Sequence, residues 1–146
     1  MAEADAHRLE QHPDRHADHH QVFAWWLWSQ PDAASPAEEG QALAAVTLPA
    51  TLSPEAEAGQ QIFAANCASC HGTNAEGRAG TAPPLIHKIY EPGHHSDMAF
   101  VLAPRNGVRA HHWRFGNMPP VPGLTDADLA GIIRFVREVQ VANGIQ

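Results

Sequence analysis

The sequence predicts an all-α domain with long loops, and three observations predict it. One capped helical stretch opens at Ser53. A second opens at Thr125 and carries apolar residues at helical spacing. The Gly/Pro-rich segments between them hold no alternating strand. With 146 residues the chain is long enough for one such domain with some length left over. Apolar residues at 44% and charged residues at 17% allow a packed core and argue against wholesale disorder.

Taken in order, residues 1–30 form a His-rich and Trp-rich extension in which residues 6–29 have a helical pattern, histidines on the early turns and aromatics on the later ones. Residues 31–52 are rich in Ala, Pro, Glu and Ser and read as a linker or a wrapped extended arm. The domain proper is expected over 53–146. Ser53-Pro54-Glu55 supplies a Ser cap, Pro at the first helical position and an acid in the first turn, and the helix runs through Gly59, Ile62 and Phe63 toward Cys67. Gly72 to Pro84 and Asn117 to Gly123 are loops. Thr125-Asp126-Ala127-Asp128 is a capping arrangement. Leu129, Ile132, Ile133, Val136 and Val139 then follow on one helical face until Asn143-Gly144 stops the helix.

Charge excludes some functions. The 9 Lys+Arg against 16 Asp+Glu give a formal charge of -7, which disfavours nucleic acid as a partner. Residues 1–50 hold eight acids against two bases, a net of -6, whereas residues 51–146 hold eight against seven, a net of -1. The longest apolar run, Val22 to Trp28, is far below the ~20 residues of a membrane span, so no transmembrane segment is expected. The acidic start Met1-Ala2-Glu3-Ala4-Asp5 has no secretory signal pattern.

Two cysteines stand against 11 histidines. Both cysteines fall in Cys67-Ala68-Ser69-Cys70-His71, a C-x-x-C-H sequence that is the attachment signature of c-type haem. Two thiols three positions apart can add to the two vinyl groups of one porphyrin, and the following imidazole is placed to take the iron from one face. A redox pair would need no adjoining His, and a zinc site would want more thiols. Iron held by His commonly takes Met, His or nothing on its other side. Met118, in the Pro-flanked loop Gly116-Asn117-Met118-Pro119-Pro120, lies outside any helical stripe and is the candidate second axial ligand.

On these residues the chain from 53 to 146, about two-thirds of its length, resembles a class I monohaem cytochrome c. The family's Gly and aromatic on the first helix correspond to Gly59 and Phe63. Its attachment motif corresponds to Cys67, Cys70 and His71, its Met-Pro loop to Met118-Pro119, and its Gly/Pro-rich loop to the stretch with Pro83 and Leu85. The resemblance implies helices wrapped around one covalently bound haem, with the first and last crossing closely. Ile132 and Phe135 would pack at the crossing, and Gly131 would allow the approach. It also implies that the Pro83 carbonyl accepts the Nδ1 proton of His71 and that Leu85 packs on the haem. Arg105, Arg109, Trp113 and Lys88 lie in the stretch expected to hold the propionates.

With His71 and Met118 saturating the iron, the expected function is outer-sphere transfer of single electrons between redox protein partners. The chain would act as a carrier or as the electron-transfer subunit of a redox complex, not as an enzyme. Covalent haem attachment places the expected location in the periplasm. A further set of His and Met is unexplained by one haem. His94, His95 and Met98 lie in one stretch, and His111 and His112 in another. His94 and Met98 would share a face if their stretch is helical. The alternatives are surface histidines with Asp97 accepting hydrogen bonds locally, or a second site for copper or zinc in a copper-handling protein. His12, His16, His19 and His20 stand at helical spacings that would gather them for metal binding or leave them as a solvated face. Trp25 to Trp28 are expected to pack on protein, through dimerisation or partner docking.

Overall fold

The computed structural model describes residues 38–146. The extension with His12, His16, His19, His20 and the Trp25–Trp28 segment lies outside the described residues. Among the described residues there are helices, a short 3-10 turn and isolated β-bridges, and no strand. The order is α1 (Pro54–Asn66), α2 (Ala68–His71), a 3-10 turn (Lys88–Tyr90), α3 (Asp97–Asn106) and α4 (Asp126–Ala142).

Helix α1 starts where its cap residues require. The Ser53 hydroxyl accepts from Ala56 N–H, Pro54 occupies the first turn, and Glu55 and Glu57 face the positive end of the helix dipole. The same hydroxyl donates to Glu138 Oε1 at 2.7 Å, and Ser53 N–H donates to Oε2 at 2.9 Å, which fastens the start of α1 to α4. Burial pushes the Glu138 carboxyl up, but the two Ser53 hydrogen bonds and Arg134 outweigh it and hold the group below the usual range.

Helix α4 opens with a full capping box: Thr125 Oγ1 accepts from Asp128 N–H, and Asp128 Oδ2 accepts from Thr125 N–H. Leu129, Ile132, Phe135, Val136 and Val139 are its buried stripe. Ile132, Phe135, Val136 and Val139 meet Ala56, Phe63, Ala75 and Ile86 in one core, and the α1–α4 crossing is its centre. Phe63 and Phe135 pack there with ring centroids 5.4 Å apart and planes tilted by 55°, an arrangement worth about 1 kcal/mol beyond area burial. Gly59 and Gly131 meet at the same crossing and let the two backbones approach.

Residues 38–52 run along the domain. Gly40 N–H donates to the Ala79 carbonyl, Ala79 N–H to that of Gln41, and Ala44 N–H to that of Glu76. Farther on, Thr47 exchanges two hydrogen bonds with the side chain of Asn143, the residue that ends α4. Val46 and Leu52 pack against the core.

Helix α3 is absent from the expectations above. Ser96 precedes it, Asp97 opens it, Pro104 sits in its last turn and Gly107 ends it. Because the helix begins at Asp97 and residues 92–95 form a turn, His94 and Met98 do not share a helix face. Met98 is exposed, and the Asp97 carboxylate accepts from Arg137 Nε at 2.8 Å.

Candidate functional site

A predominantly apolar cavity of about 440 Å³ opens between the helices, lined by Phe63, Leu85, Phe100, Val108, Leu124 and Ile132 among others. Cys67, Cys70, His71 and Met118 line the same cavity. Two thiols and an imidazole from the α1–α2 junction are therefore gathered with a thioether from a loop, His71 and Met118 being 47 residues apart.

Local structure positions each of them. Cys67 ends α1 with φ of -122°, breaking the helix so that the single turn of α2 can restart it. Both thiols are free; Cys67 is half-buried and Cys70 exposed. Burial, then the neighbouring Cys70, pushes the Cys67 thiol up to about 11, so it stays protonated at neutral pH. His71 Nδ1 lies 3.0 Å from the Pro83 carbonyl. A carbonyl can only accept, so the proton sits on Nδ1 and the Nε2 lone pair is left for a metal. Burial lowers the His71 pKa against the effect of that hydrogen bond, which keeps the ring neutral.

Met118 is held by its backbone. Its N–H and carbonyl exchange hydrogen bonds of 2.9 Å with Val108 in an isolated antiparallel bridge. Gly107, at φ +75°, makes room: a Cβ there would lie 2.7 Å from the Met118 carbonyl oxygen. Asn117 Oδ1 accepts from Ala110 N–H and closes the same loop.

Of the four residues expected near the propionates, Trp113 stands out. Its indole Nε1 is buried with no hydrogen-bond partner among the described residues. It lines the cavity and stacks on Phe115. Tyr90, whose hydroxyl burial pushes up, is close enough for the indole to oppose that shift, yet the two do not form a hydrogen bond. A buried indole N–H without a partner is costly and marks a place where an acceptor belongs. Arg105 instead pairs with Asp126.

Arg137 and Gln140 were not singled out in the sequence, where they read as polar positions beside the apolar stripe of α4. Arg137 donates to Asp97 Oδ1, to the carbonyls of Tyr90 and His95, and to Gln140 Oε1. Its guanidinium also lies 4.7 Å from the Phe100 ring centroid. Gln140, almost fully buried, donates to the carbonyls of Leu85 and Tyr90. Together they fix the 85–97 segment, one wall of the cavity, to α4.

The structure also brings the two histidine doublets together. His94 Nε2 and His112 Nε2 are 3.4 Å apart, and His95 and His111 pack against them. His95, His111 and His112 line the cavity.

The cytochrome c family model matches residues 56–140, more than half of the chain. The chain belongs to the cytochrome c family. Among its relatives, the cbb3-type cytochrome c oxidase subunit FixP of Sinorhizobium medicae is 40% identical over 78 residues, covering 49% of this chain and 27% of the relative. The subunit CcoP of Rhodobacter capsulatus is 36% identical over 90 residues, covering 58% of this chain and 29% of the relative. The chain thus spans less than a third of the length of these relatives. No solved structure matches it. Membership implies a covalently bound haem c and haem-based electron transfer. The cytochrome's own cavity fits that group: its walls are apolar, two free thiols and a neutral imidazole line it, and one buried N–H lacks an acceptor.

Proposed function

We propose that this cytochrome domain passes single electrons through a haem c attached to Cys67 and Cys70 and ligated by His71 and Met118. The observation that carries the reading is that the Pro83-oriented imidazole and the Val108-pinned Met118 line one cavity. A haem in that cavity supplies a one-electron redox couple. His71, oriented by Pro83, would offer Nε2 to the iron, and the thioether of Met118 would be the second ligand and favour the reduced state. Leu85, Phe63 and Phe100 keep water out, and the Trp113 indole offers its proton to a propionate. With His71 and Met118 both holding the iron, no position would be left for oxygen or substrate, and the domain would act as a carrier unit rather than as an enzyme.

The relatives are oxidase subunits by name, which favours a place as the electron-transfer subunit of a cbb3-type oxidase over that of a free carrier. Covalent haem attachment on the outer side of the bacterial inner membrane puts the domain in the periplasm. Among the described residues, no helix is long and apolar enough to cross a membrane. Carbon monoxide tests the saturated iron. The ferrous holoprotein is expected to give almost no difference spectrum at neutral pH, and a full spectral response to carbon monoxide would refute the reading.

A further inference from the structure

The haem leaves the histidine doublets without a role. His94 and His95 sit in a turn in which both of their N–H groups donate to the Glu91 carbonyl, and Arg137 holds the His95 carbonyl at 2.6 Å. His112 comes from a separate loop, between the Ala110–Asn117 hydrogen bond and Trp113. One nitrogen from each of His94, His95 and His112 lies within 4.8 Å of one from each of the others.

We propose that His94, His95 and His112 form a mononuclear Zn(II) site on the rim of the haem cavity, with the fourth position open to solvent. Zinc takes imidazole nitrogens at about 2.0–2.1 Å in tetrahedral geometry, which sets neighbouring nitrogens about 3.3 Å apart. His94 Nε2 and His112 Nε2 are 3.4 Å apart, which matches that edge and is long for a hydrogen bond between them. The outer shell is also in place. His95 Nδ1 lies 2.6 Å from the Ile89 carbonyl, which fixes the tautomer and leaves the other nitrogen as a lone pair. His111, which packs against His112 with centroids 4.3 Å apart, is fixed in the same way by the Arg109 carbonyl at 2.8 Å.

At His112 the surroundings favour the neutral ring, the form that binds metal. Burial, followed by His111, His95 and His94, lowers the pKa of His112. Among the described residues no carboxylate joins the three imidazoles, and Asp97 binds Arg137. An all-nitrogen set of this shape suits zinc better than Cu(I), which a Met ligand would favour. The site is built from protein nitrogens alone and does not depend on which residues ligate the haem iron.

Calorimetric titration of the full-length holoprotein with Zn(II) tests it. Copper is a poor probe, since Cu(II) binds most exposed histidine sets more tightly than zinc does. Because the chain carries other histidines at 12, 16, 19 and 20, the wild type is compared with His94→Ala/His112→Ala and with His12→Ala/His16→Ala. The first variant is expected to lose one equivalent of bound zinc, and the second to keep it. Equal zinc stoichiometry and affinity in the wild type and in His94→Ala/His112→Ala would overturn the site, as would a loss confined to His12→Ala/His16→Ala. If the double variant melts early, the single His94→Gln change at an exposed position replaces it, with an affinity for that equivalent weakened at least tenfold. An unchanged affinity would overturn the proposal equally.

Discussion

Gly59 on α1 and Gly131 on α4 touch backbone to backbone: a Cβ built on Gly59 would lie 1.8 Å from the Gly131 carbonyl oxygen. No rotamer relieves such a clash, because both partners are main chain. Gly59→Ala must therefore part the helices and loosen Phe63 from Phe135. The expected cost is about 3 kcal/mol, read as a lower urea midpoint. An unchanged midpoint would mean that the crossing does not hold the domain together.

Arg137 joins Asp97, Tyr90, His95 and Gln140 through one guanidinium. Arg137→Ala takes the donor from the His95 carbonyl, from Gln140 Oε1 and from the exposed Asp97 carboxylate, while the Tyr90 carbonyl keeps Gln140 Nε2, and the expected cost is about 2–3 kcal/mol. Because the segment it releases forms a wall of the cavity, the loss should be accompanied by faster hydrogen exchange at residues 89–97. A loss of stability with exchange unchanged in that segment would separate Arg137 from the cavity.

Asp128 has its carboxyl held below the usual range by the Thr125 hydroxyl and then by the Thr125 N–H. A group with a folded pKa below its unfolded value stabilises the fold fully above the unfolded value, about 3.9. That contribution fades as pH falls through the lower, folded value. Asp128→Asn should therefore melt below the wild type at pH 7, with the two curves converging at lower pH. A difference that stays constant down to acid pH would assign the effect to something other than the ionised cap.

Much of the fold is legible in the sequence because it is local. Ser53-Pro54 and Thr125 through Asp128 announce helix starts by their side-chain chemistry, and C-x-x-C-H places two thiols and an imidazole within five residues. Helix α3 is less so. It buries no residue fully, which blurs its apolar stripe, and Pro104 in its last turn reads as a break. Arg137 and Gln140 act through partners 40 to 55 positions away, and no periodicity carries that information. The meeting of His94 with His112 is likewise a product of tertiary packing. The sequence shows two doublets, and only the folded turn and loop bring them together.

Trp113→Phe keeps the stack on Phe115 and removes the one buried side-chain N–H without an acceptor among the described residues. If that proton serves a propionate, its loss raises the propionate pKa, since hydrogen bonding favours the charged form. The pH-dependent part of the midpoint potential should then move to higher pH with the haem still attached. A potential-against-pH curve that superimposes on the wild type would remove Trp113 from the propionate.

The most direct measurement is the absorption spectrum of the ferric holoprotein, wild type beside Met118→Ala. Ligation by His71 and Met118 predicts a low-spin, six-coordinate spectrum with a sulfur-to-iron charge-transfer band. In Met118→Ala that band should be lost while the haem stays bound. A wild type without the band, or a Met118→Ala protein that retains it, would contradict the account.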